Sequence, residues 1–368
     1  MRVYLKRTLT IISLIVLPLL FVMVTQNRVD HNTLRIQGFY QEAENTIDVA
    51  LIGASDVFTG YSPAYAYKLY GFTSYNYAID ANYTGLFKNQ IKEILAHQRI
   101  KCLVIETTGC SNSTTKEEKE VSLATMRKWT DAMPFSQNKV DTINQFADSD
   151  KLSYYLPFLM YHGQLSNFTD TYKRISQKVR GFSYLKGITS TNKKAPCENM
   201  KDISKESGIE KLSIGDEEVF ADLLDYCDTL DCRVVFVRFP HRVVDDSELH
   251  ALKVQNYIEK LVKERGYDFI NFDKMFSDLN LSPNDDFYGD SHMNVNGQKK
   301  MTSYLGKLLS DKYKISKTEL TKENQKRWNT SVEYTEQFYK YFKIHEKDEQ
   351  VYWWQETPEL LKQLESMK

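Results

Sequence analysis

Short, almost wholly apolar segments recur along the chain: "NTIDVALIGAS" ending at Ser55, "SYNYAI" at 74–79, "KCLVIE" at 101–106 and "CRVVFVRF" at 232–239. Each is rich in β-branched or aromatic residues, and in most the apolar positions are consecutive rather than alternating. A strand that is apolar on both sides has to be covered on both faces, the condition met by a parallel sheet between helical layers. Stretches with helical spacing fall between these runs, at 63–69, 86–97, 216–229 and 247–265, and a further short strand is expected at 269–272. In the third of these, Val219, Leu223, Leu224 and Cys227 share one face. The pattern predicts an α/β fold built on a parallel sheet.

The alternation is interrupted. From 111 to about 212 the sequence turns polar and helical, with the aromatic cluster "YYLPFLMYHGQL" at 154–165, which predicts a partly helical insertion on the rim of the sheet. Within it, "TSTNKKAPCENMKDISKESG" reads as a mobile loop. Beyond 312 a C-terminal extension, 313–368, is expected to pack as helices on the outside, with Trp353 and Trp354 as packing anchors.

At the N-terminus, Arg2, Lys6 and Arg7 precede an uncharged apolar run over 8–24. As a helix it spans about 25 Å, at the short end of what crosses a bilayer. A cleaved signal peptide is the competing reading, but no small-x-small site follows before Gln26 and Asn27. Residues 1–27 are therefore expected to be a cytoplasmic tail and single membrane anchor, with the remainder extracytoplasmic. The 48 basic and 49 acidic residues nearly cancel, which removes any global electrostatic case for nucleic acid. The five cysteines match no zinc spacing, and no metal or cofactor is expected. Cys227 and Cys232 are close enough in sequence to bridge, whereas Cys102 reads as a small core residue.

In an open parallel sheet, ligands bind outside the carboxyl ends of the strands. Ser55 follows the first strand directly, and His292 lies in the polar loop "DFYGDSHMNVNG" after the last one. A serine hydroxyl needs a base to accept its proton, and a histidine backed by a carboxylate supplies one. Asp290, two residues before His292, is the first choice for that acid, and Asp286 is the alternative. A Gly-Ala-Ser after a strand is also an ordinary turn, and Asp-x-His an ordinary hydrogen-bonding pair. The combination of first strand and last loop is what points to a site. Backbone N–H groups at Asp56, Asp80 and Thr107 are candidate donors to an oxyanion. Arg238 and His241 are candidate contacts to an anionic or sugar substrate, with a structural role as the equal alternative, and Tyr161 is a candidate cleft residue with packing as the plainer reading.

These residues resemble the SGNH (GDSL-like) hydrolases, and within them a membrane-anchored, extracytoplasmic acyltransferase-like branch. "IDVALIGASDVFTGYSP" looks like the first block of that family, with Gly-Ala-Ser in place of Gly-Asp-Ser and Ser55 at the nucleophile position. "DFYGDSHMNVNGQKKMTSYLGKLL" is similar to the last block, with His292, Asn294 and Gly297 matching. "AMPFSQNKVD" and the 154–165 cluster resemble segments of teichoic-acid D-alanyl transfer proteins. The similarity spans roughly residues 45–312 and implies a flavodoxin-like three-layer α/β/α fold. The sequence departs from the family at the second block, which has no glycine before Gly85, and at the third, where "IETTGC" replaces Gly-x-Asn-Asp.

The resemblance implies a serine acyltransferase or esterase that moves an acetyl or D-alanyl group to or from a cell-surface polysaccharide or teichoic acid. It implies a polytopic membrane O-acyltransferase as acyl donor and the polymer as acceptor. The alternative is a non-catalytic surface protein of the same fold that binds glycan or scaffolds a cell-envelope complex.

Overall fold

The computed structural model describes residues 30–111, 116–161, 181–344 and the pair Tyr352–Trp353, together with isolated positions before residue 18. The strands, in chain order, are β1 (Val49–Ile52), β2 (Ser74–Asn76), β3 (Cys102–Glu106), β4 (Ser190–Thr191), β5 (Arg233–Arg238), β6 (Asp268–Asn271) and β7 (Tyr352–Trp353). Five of them form one parallel sheet in the order β2-β1-β3-β5-β6. Val49 of β1 lies opposite both Ser74 and Cys102. The short strands β4 and β7 pair antiparallel in a separate ribbon.

The consecutive apolar positions follow from burial on both faces. Ala50, Ile52, Leu103, Ile105 and Phe236 point into one core, and Val49, Leu51, Val104, Val235 and Val237 into the other. The first core is covered by α1 (His31–Phe39), whose Ile36 and Phe39 face inward, by α4 (Thr84–His97) through Leu86, Ile91 and Ile94, and by further helices. The second is covered by α2 (Ser55–Gly60), α3 (Pro63–Tyr70) and the helix Val295–Asp311, through Val57, Ala66, Met301, Leu305 and Leu309. The result is a three-layer α/β/α arrangement in which strand order reverses between β1 and β3. In open parallel sheets the carboxyl edge at such a reversal is where ligands bind.

The chain between β3 and β5, which are neighbours in the sheet, contains α5 (Lys116–Thr130) and three shorter helices ending at Tyr161. Trp129 of α5 is fully buried and its indole N–H donates to the Tyr77 hydroxyl at 2.7 Å, fastening the insertion beside β2. The segment 189–208, expected to be mobile, is instead tied down. Thr189 donates its N–H to Phe58 at 2.9 Å, Ala195 to Phe287 at 2.9 Å and Lys201 to Val243 at 2.8 Å. In the C-terminal extension, the helix Lys322–Ile344 packs on α3. Trp353 takes part in the β7 pairing, and Trp354 lies outside the described residues. All five cysteines are free thiols. Among the described residues no helix is long and apolar enough to cross a membrane, and most of the run 8–24 lies outside them.

Candidate active site

β1 ends at Ile52, and the chain must turn sharply to enter α2. Gly53 makes that turn at φ 150°, and a Cβ on it would sit 2.6 Å from Glu106 Cβ and 2.8 Å from Val57 Cγ2, so only glycine fits. From the other side, buried Asn82 donates to the Gly53 carbonyl at 3.0 Å and to Gln90 at 2.9 Å. The turn is thus held rigid, and it presents Ser55 at the carboxyl edge of the sheet.

His292 is positioned by a compact loop. Phe287 and Met293 form an antiparallel bridge, the Tyr288 N–H donates to the His292 carbonyl at 3.0 Å, and the Asn294 N–H donates to the Asp286 carbonyl at 2.9 Å. Asn294 then caps the helix Val295–Asp311. Its Oδ1 accepts the Asn296 N–H at 2.9 Å, and its amide donates to the Asp285 and Lys193 carbonyls at 2.7 and 3.1 Å. Gly297 is needed one turn later because a Cβ there would meet the Asp286 carbonyl at 2.3 Å. The Tyr288 and His292 rings stack at 5.4 Å with 14° between planes. These constraints bring His292 Nε2 to 2.7 Å from Ser55 Oγ, across 237 residues of sequence. The hydroxyl donates to Nε2 when that nitrogen is unprotonated.

The carboxylates fall differently from expectation. Asp290, the first choice to back the imidazole, has its side chain half exposed and paired with Arg242 Nη2 at 2.8 Å. Asp286 is buried and turned away, accepting the Ser282 N–H at 2.6 Å and the Lys300 ammonium at 2.7 Å. No hydrogen bond or ion pair joins Asp290 to His292; its Oδ1 is given to Arg242 instead. The charge of Arg242 is nearby and buried, and it prevails.

Of the three candidate oxyanion donors, two are committed elsewhere. The Asp80 N–H donates to Asn32 Oδ1 at 3.0 Å, and the Thr107 N–H donates to the Val237 carbonyl at 3.0 Å. The Asp56 N–H lies in the first turn of α2, where helix geometry provides no backbone acceptor. The Asp80 carboxylate takes His31 at 2.6 Å and Asn32 at 3.0 Å. Burial opposes its ionisation, but the bond to His31 and the charges of His31 and Arg35 hold it well below the usual carboxylate range.

Arg238 and His241 do reach the carboxyl edge, yet both are buried at 3 % exposure, and neither is a surface contact for substrate. Arg238 Nε pairs with Asp273 at 3.1 Å and its Nη1 donates to Thr108 Oγ1 at 2.8 Å. The His241 N–H donates to Asp273 at 2.7 Å, and its Nδ1 lies 2.7 Å from the Phe239 carbonyl. Tyr161 donates its hydroxyl to Asp131 at 2.6 Å within the insertion. Among the described residues no cluster of three or more His, Cys, Asp or Glu side chains is arranged to hold a metal.

Four site residues escape a linear reading. Glu106, Asn82, Arg242 and Asp273 are all buried, and only Glu106, as a charge closing an apolar strand, leaves a trace in the sequence. Asn82 reads there simply as part of an Asn-x-Thr triplet. No family model matches the chain, and no curated protein matches it.

Proposed function

We propose that the chain is an SGNH-like serine acyltransferase or esterase that works outside the membrane on a cell-surface polysaccharide or teichoic acid. The observation that carries this reading is the 2.7 Å contact between Ser55 Oγ and His292 Nε2 at the carboxyl edge of the sheet. In the reaction, Oγ attacks the carbonyl carbon of an acyl ester while its proton passes to Nε2. The Asp56 N–H faces the resulting oxyanion. His292 then returns the proton to the departing alkoxide, leaving acyl-Ser55 and a free alcohol. An incoming sugar hydroxyl or water gives its proton to Nε2 and attacks the acyl carbon, and Nε2 then hands that proton to the departing Ser55 Oγ, which restores the serine. Acetyl and D-alanyl are the acyl groups that the sequence resemblance implies.

A membrane location is consistent with the way the chain enters the domain. His31, at the start of α1, bonds to Asp80 just past β2, on the same sheet edge as Ser55. An anchor over 8–24 would tether the domain to the bilayer, where a polytopic O-acyltransferase would deliver its acyl group.

The second reading is a non-catalytic scaffold of the same fold, favoured by the engagement of the Asp80 and Thr107 N–H groups. Labelling by a serine-reactive fluorophosphonate separates the two. The enzyme reading expects label on the wild type that disappears in Ser55→Ala and falls sharply in His292→Ala, whereas label absent from Ser55 overturns it.

A further inference from the structure

The polar contacts behind Ser55 run from the residue before the nucleophile to the residue after it. Glu106 Oε2 lies 3.5 Å from the Ala54 N–H, and Oε1 accepts the Thr108 N–H at 2.7 Å and its hydroxyl at 2.5 Å. The same hydroxyl accepts Arg238 Nη1 at 2.8 Å, and Arg238 Nε reaches Asp273 at 3.1 Å. Asp273 accepts the His241 N–H at 2.7 Å, and His241 Nε2 lies 3.5 Å from Asp56 Oδ1. The five ionisable members, Asp56, Glu106, Arg238, His241 and Asp273, are each no more than 3 % exposed.

Three carboxyls face two bases, so with both bases charged the ring is neutral when one carboxyl keeps a proton. A net buried charge is costly without a partner. Asp273 bonds Arg238 and His241, and Asp56 faces His241. Glu106 is the carboxyl of the three with no cation at ion-pair distance, its contacts being to Thr108 and the Ala54 N–H, which makes it the one best suited to keep a proton. Around the ring, Glu248 faces His241 and Arg238 from the helix Asp246–Glu264, and the Cys110 thiol lies near Glu106.

We propose, building on the acyl-serine reading, that Glu106 is a positioning residue for Ser55. Its neutral carboxyl closes the ring, holds the Gly53–Asp56 turn in its reactive geometry and keeps negative charge away from the forming oxyanion. Burial and the neighbouring Asp56 carboxylate push the Glu106 carboxyl up to about 7, against the pull of Arg238.

The test compares fluorophosphonate labelling of Ser55 across pH in the wild type, Glu106→Gln and Glu106→Ala. Glu106→Gln should label within about threefold of wild type in mild acid and lack the decline that the wild type shows above neutrality. Glu106→Ala should label at least about tenfold more slowly throughout. An alkaline decline in Glu106→Gln matching the wild type, or Glu106→Ala labelling at the wild-type rate, overturns the assignment. A second measurement needs no activity: Tm against pH for Ser55→Ala and for the same variant carrying Glu106→Gln. The double variant should show the flatter profile, and identical profiles overturn the neutral ring. If the wild type never labels at Ser55, the acyl-transfer reading falls and the Tm profiles alone decide the role of Glu106.

Discussion

Arg242 grips Asp290 twice: its backbone N–H donates to the Asp290 carbonyl at 2.8 Å and its Nη2 pairs with the Asp290 carboxylate at 2.8 Å. The same guanidinium donates to the Ala195 carbonyl at 2.5 Å and the Pro283 carbonyl at 3.0 Å, so three stretches of chain converge on one buried cation. Asp290 therefore acts on His292 through the loop that both occupy.

Asp290→Asn and Arg242→Lys are accordingly expected to lower turnover of an acetyl ester by similar factors, about tenfold each, with the double variant little worse than either. A carboxylate bonded directly to the imidazole would cost about 10⁴ on the same amide change. A loss of that size in Asp290→Asn, with Arg242→Lys near wild type, would place Asp290 on the ring after all. Asp286→Asn should act on thermal stability rather than on turnover, because its partners are Ser282 and Lys300.

Gly53→Ala combines a disfavoured φ with a 2.6 Å clash against Glu106 Cβ. Backbone strain of this kind costs about 1–3 kcal/mol, readable from urea denaturation. The displaced turn should also abolish fluorophosphonate labelling of Ser55 while the circular dichroism spectrum stays that of the folded protein.

Lys186 is fully buried, bonds both Glu42 oxygens at 2.6 and 2.8 Å and stands 4.6 Å over the Trp328 ring. It joins the chain just after α1 to the segment before β4 and to the helix Lys322–Ile344. Lys186→Met leaves a buried carboxylate unpaired and should destabilise the fold by about 3–5 kcal/mol in chemical denaturation. Adding Glu42→Gln should recover most of that loss, and failure to recover would show that the lysine stem, not the charge, does the packing.

Asp80 has its ionisation favoured in the folded protein by His31 and Arg35, against burial. A carboxylate held below its unfolded value contributes stability above the ordinary value of 3.8, and that contribution is lost as pH falls toward the folded value. Asp80→Asn should remove this acid limb from a plot of Tm against pH while lowering Tm at neutral pH. An unchanged acid limb would assign it to other carboxylates.

The strands were legible because burial on both faces demands unbroken apolar runs, and "KCLVIE" and "CRVVFVRF" coincide with β3 and β5. Ser55 and His292 were legible for a related reason: a short polar loop at the carboxyl end of an apolar strand has one place to go in a parallel sheet. Arg238 and His241 were placed at the correct edge, and of their two readings the structural one holds because both are buried. Nothing in "VRFPHR" announces Asp273, the partner that allows both to be buried. The segment 189–208 looked mobile because its composition is that of a loop, and the backbone hydrogen bonds that hold it involve Phe58, Val243 and Phe287, all distant in sequence.

By itself the sequence determined the parallel α/β architecture, the glycine-to-serine turn after β1 and the histidine loop with Asn294 and Gly297 leading into the last helix. These are local matters of hydrophobic period, backbone freedom and side-chain reach. Only the tertiary structure decided which groups behind the site remain available. It sent Asp290 to Arg242, occupied the Asp80 and Thr107 N–H groups, and closed Glu106 into a ring with Asp56. Each of those outcomes is a competition between donors and acceptors far apart in the chain, and the strand order sets which of them meet.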